Sequence, residues 1–156
     1  MKKIEDLDAL KIGAYQYCVQ SVAEKLHKIQ LQIKELETAL TSETKSSAGD
    51  KHETGRAMIQ LEREKLGQQL AEVEKTQQLL FKVPKNRDAK TVGLGSLVIT
   101  DSSIYYLAIS AGEYKNTQAS VYCISAATPI GKLVFGKSVG DTFLFNGKSS
   151  ILLTIR

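Results

Sequence analysis

Apolar positions in the first half of the chain step by alternating threes and fours, in two runs that mirror each other. One run is Val19, Val22, Leu26, Ile29, Ile33, Leu36 and Leu40. The other is Ile59, Leu66, Leu70, Val73 and Leu80, with Arg63 and Gln77 on the two remaining steps. Paired in reverse order, from Leu40 with Ile59 to Val19 with Leu80, the position numbers always sum to 99. The three-four spacing keeps one seam of a helix facing a partner helix, and a constant sum requires the partners to run antiparallel. Residues 1–83 therefore read as an antiparallel coiled-coil hairpin that folds back at Gly49 and Asp50. The fold-back lies in a polar stretch, Ser46-Ser47-Ala48-Gly49-Asp50-Lys51-His52-Glu53-Thr54-Gly55, which carries two carboxylates.

After Val83 the period changes. Pro84 through Lys90 is polar and aperiodic, which marks 84–91 as a linker, and 92–156 reads as a second, globular domain. Ser96–Thr100 and Ile104–Ile109 are β-branched or aromatic runs joined at Asp101-Ser102, a hairpin pattern. A third strand covers Ala119–Ser125, with Val121 and Cys123 on one face. Thr128-Pro129 opens a short helix reaching to about Lys137, since a Thr cap followed by Pro at the first helical position is a standard start. Thr142–Phe145 and Ser150–Ile155 close as a hairpin around Asn146-Gly147. The expected class is α+β: a helical hairpin followed by a small antiparallel sheet carrying one short helix.

Composition narrows the function classes. The 156 residues are 42% hydrophobic, normal for a globular chain, and no run is long and apolar enough for a membrane span. The start, Met1-Lys2-Lys3-Ile4-Glu5-Asp6, has no apolar run behind it, so no secretory signal is expected. Cys18 and Cys123 lack metal-ligand spacing and read as buried apolar residues of a cytoplasmic protein. Through Val83 there are 13 basic and 13 acidic residues, and from Pro84 onward 8 basic and 4 acidic. A dedicated nucleic-acid binder concentrates its charge more than this. Only the tip is locally basic, where Lys45, Lys51 and Arg56 flank the two acids. These cations are either ordinary solvated side chains or contacts to a polyanion passing near the tip, such as RNA.

Asp50 and Glu53, three residues apart, admit two readings. Asp-x-x-Glu before an apolar-periodic run is a capping box, with Asp50 accepting backbone N–H bonds and Glu53 reaching back. The same two acids at the end of a stalk are also a metal-ligating and water-orienting pair. His52 has no second His or Cys near it in the chain and reads as solvated. Val92-Gly93-Leu94-Gly95 precedes a strand rather than a helix, so it is a loop entry and not a nucleotide fingerprint. No Ser, His and Asp set stands out as a triad.

The stretch Ile124-Ser125-Ala126-Ala127-Thr128-Pro129-Ile130-Gly131-Lys132-Leu133-Val134-Phe135-Gly136-Lys137-Ser138-Val139-Gly140-Asp141 resembles the C-terminal domain of the bacterial transcript cleavage factors GreA and GreB. That family shows Ser-Pro, a short apolar helix, Gly-Lys and Val-Gly-Asp in this order. The tip is similar to the family's Gly-Asp-Leu-Lys-Glu-Asn, with both acids at the same separation. The resemblance implies a coiled coil followed by an FKBP-like domain, and a monomeric cytoplasmic partner of RNA polymerase. It implies that the tip enters the polymerase's secondary channel and stimulates cleavage of backtracked RNA near its 3′ end. Asp50 would then help hold a second Mg²⁺ shared with the polymerase, and Glu53 would hold or deprotonate the attacking water. Thr128, Pro129 and Ile130 would dock the globular domain. The protein would not be an enzyme alone, because it completes another's site. The chain departs from the family at Gly55-Arg56-Ala57, where an Ala-Glu-Tyr is usual, and at Ala127, often Asp or Asn there. A paralogue that occupies the channel without cleavage, and a coiled-coil scaffold or adaptor, remain open alternatives.

Overall fold

The computed structural model describes residues 6–45, 49–87 and 90–156, with 43–45 and 49–52 as backbone only. Two long helices, α1 (Leu7–Lys45) and α2 (Gly49–Phe81), come first, followed by six strands and one short helix, giving an α+β chain. No helix among the described residues is long and apolar enough to cross a membrane. By contact density the chain divides into Val22–Gln77 as one unit, and the residues up to Ser21 together with Gln78–Arg156 as the other. The composition break near Pro84 is therefore not where the packing divides. The first turns of α1 and the last of α2 belong with the sheet.

Within the Val22–Gln77 unit the shielded positions are the ones that the three-four spacing selects. Val22, Ile29 and Leu66 are buried, and Leu26, Ile33, Leu36, Leu40, Ile59, Leu70, Val73 and Gln77 are half-buried. Arg63 breaks the stripe by facing solvent, where its Nη2 donates to Glu37 Oε1 across the arms at 2.8 Å. Positions 37 and 63 sum to 100, next to the seam constant, so this contact joins the arms in the antiparallel sense that the seam requires. Residues 46–48, between the two helices, lie outside the described residues. Gly49 and Asp50 are already in the first turn of α2, which corrects their expected place at the fold-back point. The seam sum locates where the helices pair, whereas each helix ends where its own first-turn chemistry allows.

The sheet has six strands: β1 (Leu97–Thr100), β2 (Ile104–Leu107), β3 (Gly112–Lys115), β4 (Ser120–Ile124), β5 (Thr142–Phe145) and β6 (Lys148–Ile155). They lie in the order β3-β4-β2-β1-β6-β5. All neighbours are antiparallel except β2 and β4, which run parallel, with Tyr105 opposite Tyr122 and Leu107 opposite Ile124. The sheet is thus mostly antiparallel, as expected, with one parallel pair in it. The cause is β3, whose sequence Gly-Glu-Tyr-Lys is too short and polar to register as a strand. The chain leaves β2, returns along the edge as β3, and comes back as β4 into the gap beside β2. At the other end, Asn146 and Gly147 both take positive φ, 51° and 78°, the geometry a two-residue hairpin requires.

Every residue of β1 is buried, so the sheet is covered on both faces. On one face Val98, Leu107, Phe143 and Leu152 pack with Val92 and with Ile130 and Val134 of the short helix α3 (Pro129–Val134). Leu97 and Ile99 alternate with Val98 and so point to the opposite face. There Tyr114 lies against Gly13 of α1, and the rings of Tyr17 and Tyr114 stand 5.7 Å apart. Leu10, Ala14 and Cys18, spaced by fours, are the buried apolar positions of this part of α1. Of the outermost seam pair, Leu80 is buried and Val19 is 37% exposed. Cys18 and Cys123 are both buried and free, and the two thiols hydrogen-bond each other. That bond and burial push the Cys123 thiol well above the usual cysteine range.

Candidate functional site

The strongest sequence signal falls on the first turn of α2. Asp50 and Glu53 both have helical backbone there, and a separation of three puts the two positions on one helix face, one turn apart. Because α2 begins at Gly49, the backbone of Asp50 is already helical. Carboxylates at this end still favour the helix, since its unpaired N–H groups carry partial positive charge. Glu53 is exposed, as is Thr54 behind it. Arg56, one turn further on, is half-buried, and its Nε is enclosed without a hydrogen-bond acceptor among the described residues. The side chains of Lys45, Asp50, Lys51 and His52 lie outside the described residues. No group of three or more His, Cys, Asp or Glu capable of holding a metal occurs among the described residues.

The second expected site, Thr128-Pro129-Ile130, is a turn built by its own hydrogen bonds. Thr128 is the N-cap of α3: its hydroxyl accepts the Gly131 N–H at 3.1 Å and donates to the Ser125 carbonyl at 2.6 Å. Pro129 occupies the first helical position and is exposed. Gly131 is required by this closure, because a Cβ there would run into the Ser125 carbonyl oxygen and Thr128 Oγ1. Ile130 points the other way: at 8% exposure it belongs to the core beneath the helix. What the turn presents outward is therefore Pro129 with Ala127, while Ile130 fixes α3 to the sheet. The helix also ends earlier than expected, at Val134. Beyond it the backbone of Gly136 and Lys137 hydrogen-bonds Val92, both at 2.8 Å, and so cannot continue helical.

A third feature has no local sequence signal. A cavity of about 800 Å³ opens between the first turns of α1, the segment after Pro84 and the C-terminal end of β6, with Lys11, Tyr15, Lys85, Arg87 and Arg156 on its walls. Its residues are scattered over the chain, and only the mild basic excess after Pro84 pointed toward it. Asp8 there is held by two hydrogen bonds from Arg156, both 2.8 Å. That guanidinium keeps the Asp8 carboxyl below its usual range. Lys11 is 7% exposed and donates to the main-chain oxygen of Arg156 at 3.2 Å. Burial holds its ammonium below the usual lysine range.

No protein-family model matches this chain, and no curated protein matches it either.

Proposed function

We propose that this chain is a transcript cleavage factor that works through RNA polymerase in the cytoplasm, with the first turn of α2 as its working end. The observation that carries this reading is the placement of Asp50 and Glu53 together, one helical turn apart, where the second arm of a long helical hairpin begins. An FKBP-like character for the sheet unit belongs to the same reading. Its support is the Thr128-capped, Pro129-started helix on an antiparallel-rich sheet, in the order the resemblance implies.

Two carboxylates suit Mg²⁺, which takes oxygen ligands and uses only one or two carboxylates while keeping several waters. Asp50 would hold the ion jointly with the polymerase, and a second ion in such a site stabilises the attacking and leaving oxygens of a phosphoryl displacement. Glu53, exposed and one turn on, is the group that would orient or deprotonate the attacking water beside the RNA 3′ end. Lys45, Lys51 and Arg56 would offset the negative charge that RNA brings to the same place. Thr128 and Pro129 would contribute to docking through the outward face of their turn, with Ile130 acting from the core.

Backtracked elongation complexes test this directly. Asp50→Asn should remove most of the stimulated RNA shortening while polymerase binding stays within about twofold, since the charge acts at the reacting centre. Glu53→Gln should behave likewise, and added Mg²⁺ should rescue it less than Asp50→Asn. Wild-type protein that binds polymerase and never shortens the transcript would make it a channel occupier, a reading that Gly55-Arg56-Ala57 favours. Absence of binding would leave a scaffold.

A further inference from the structure

We propose that the cavity beside the first turns of α1 is a binding site for a free nucleoside polyphosphate, with its phosphates on Lys11, Lys85 and Arg87 and its ring against Tyr15. The site lies wholly in the unit that contains the sheet, and the inference does not rest on any role in transcription. Three observations converge on this chemistry.

The first is charge. Among the described residues, four cations, Lys11, Lys85, Arg87 and Arg156, line the cavity with one side-chain carboxylate, Asp8. Asp8 is already engaged by Arg156 through both carboxylate oxygens. The side chains of Lys11, Lys85 and Arg87 thus give the described walls a positive surplus. An ammonium buried beside other cations is unfavourable, and an anion delivered from solution relieves it.

The second is donor capacity. Lys11 has three N–H bonds and lends one to the main-chain oxygen of Arg156. Arg87 spends one N–H of Nη1 on the Leu94 carbonyl and one of Nη2 on the Thr91 carbonyl, each at 3.2 Å, which fixes its position. The other N–H groups of Lys11 and those of the exposed Lys85 can donate to phosphate oxygens, which accept several hydrogen bonds at once.

The third is size and surface. About 800 Å³ is too much space for a lone phosphate and falls in the range of small-molecule sites. The walls also carry apolar surface from Ile12 and Ile155, and the ring of Tyr15 already serves as a platform for the Lys85 ammonium 5.8 Å from its centroid. A cation over an aromatic face beside an apolar wall accommodates a planar base with its phosphates directed at the ammonium.

Calorimetry and amide NMR on the full chain, in metal-free buffer at moderate salt, test the site with ATP, inorganic tripolyphosphate and adenosine as probes. The expected result is saturable ATP binding with shifts centred on residues 8–16 and 85–87. Tripolyphosphate should compete, and adenosine should bind at least tenfold more weakly. Lys85→Gln, at an exposed position outside the core, should weaken ATP roughly tenfold, the effect of losing one charged hydrogen-bond partner. Lys11→Met should weaken it at least as much, and Lys85→Gln keeps the test valid if that variant folds poorly. Absence of saturable binding by ATP and tripolyphosphate at millimolar concentration would overturn the proposal. So would ATP affinity unchanged in Lys85→Gln, or shifts confined to other parts of the chain. A single-stranded RNA lacking a terminal triphosphate that binds there as tightly as ATP would overturn the assignment to a free nucleotide.

Discussion

The Val22–Gln77 hairpin and the sheet unit bury their apolar residues in different ways. In the hairpin each helix has one narrow stripe, covered from one side by one neighbour, so most seam residues are only half-buried, and Leu31, Met58 and Leu61 stay 48–68% exposed. In the sheet unit α3 covers one face and the first turns of α1 the other, so successive residues of β1 are buried whatever their parity. A long two-helix seam spreads modest stabilisation over many positions, whereas a sheet covered on both faces concentrates it in a few. The hairpin can therefore carry an exposed acid, Glu53, near the start of α2. The cavity beside α1 draws its walls from the rigid sheet unit.

Paired truncations test this difference most strongly. Leu107→Ala, at a fully buried position among Val98, Ile130 and Leu152, should lower unfolding free energy by about 3–4 kcal/mol. Leu70→Ala, half-buried in the hairpin seam, should cost about 1–2 kcal/mol, in line with partial burial. Urea titrations of both variants would check the ranking, and equal losses would break it.

Gly131→Ala comes next, at a destabilisation of about 1–3 kcal/mol, because the new methyl must displace the Ser125 carbonyl that Thr128 Oγ1 grips. Thermal unfolding of this variant beside a Thr128→Ala control separates the overlap from loss of the cap, the latter being worth about 1 kcal/mol. In the opposite direction, Gln77→Leu should raise the melting temperature, since a polar side chain in a half-buried seam position weakens the seam. A clear fall in melting temperature would show that Gln77 does not face the other arm.

The smallest expected effect is a pH slope from Lys11, whose neighbours are Asp8, Arg156 and Arg87. Its pKa in the folded chain lies below the ordinary 10.5, so between those two values the unfolded chain binds more protons. Stability then rises with pH through that window. Lys11→Met should flatten the rise when the two proteins are compared by urea titration below pH 10. Above that, Tyr106 opposes it, because burial raises its pKa beyond the ordinary 10.0 and stability is lost as the unfolded tyrosine ionises. An identical slope in Lys11→Met would assign the effect to other lysines.

Much of the architecture was legible in the residues themselves because it depends on local rules. The three-four spacing determined which positions are shielded in the seam, and the Arg63 to Glu37 contact joins the arms in the antiparallel sense. Thr128-Pro129 determined the start of α3 through capping, and Asn146-Gly147 the last hairpin through positive φ. The type and spacing of Asp50 and Glu53 were equally visible. Packing alone decided the rest. Gly112–Lys115 becomes a strand only because β4 offers it an edge, and that detour makes β2 and β4 parallel. Cys18 is fully buried beside Cys123 because the sheet covers this part of α1. Ile130 is core rather than docking surface because α3 lies down on Val98 and Leu107. Lys11, Lys85, Arg87 and Arg156 share one cavity across almost the whole length of the chain. Periodicity records which face of an element is covered; what covers it, and which distant residues meet there, are settled only when the elements pack.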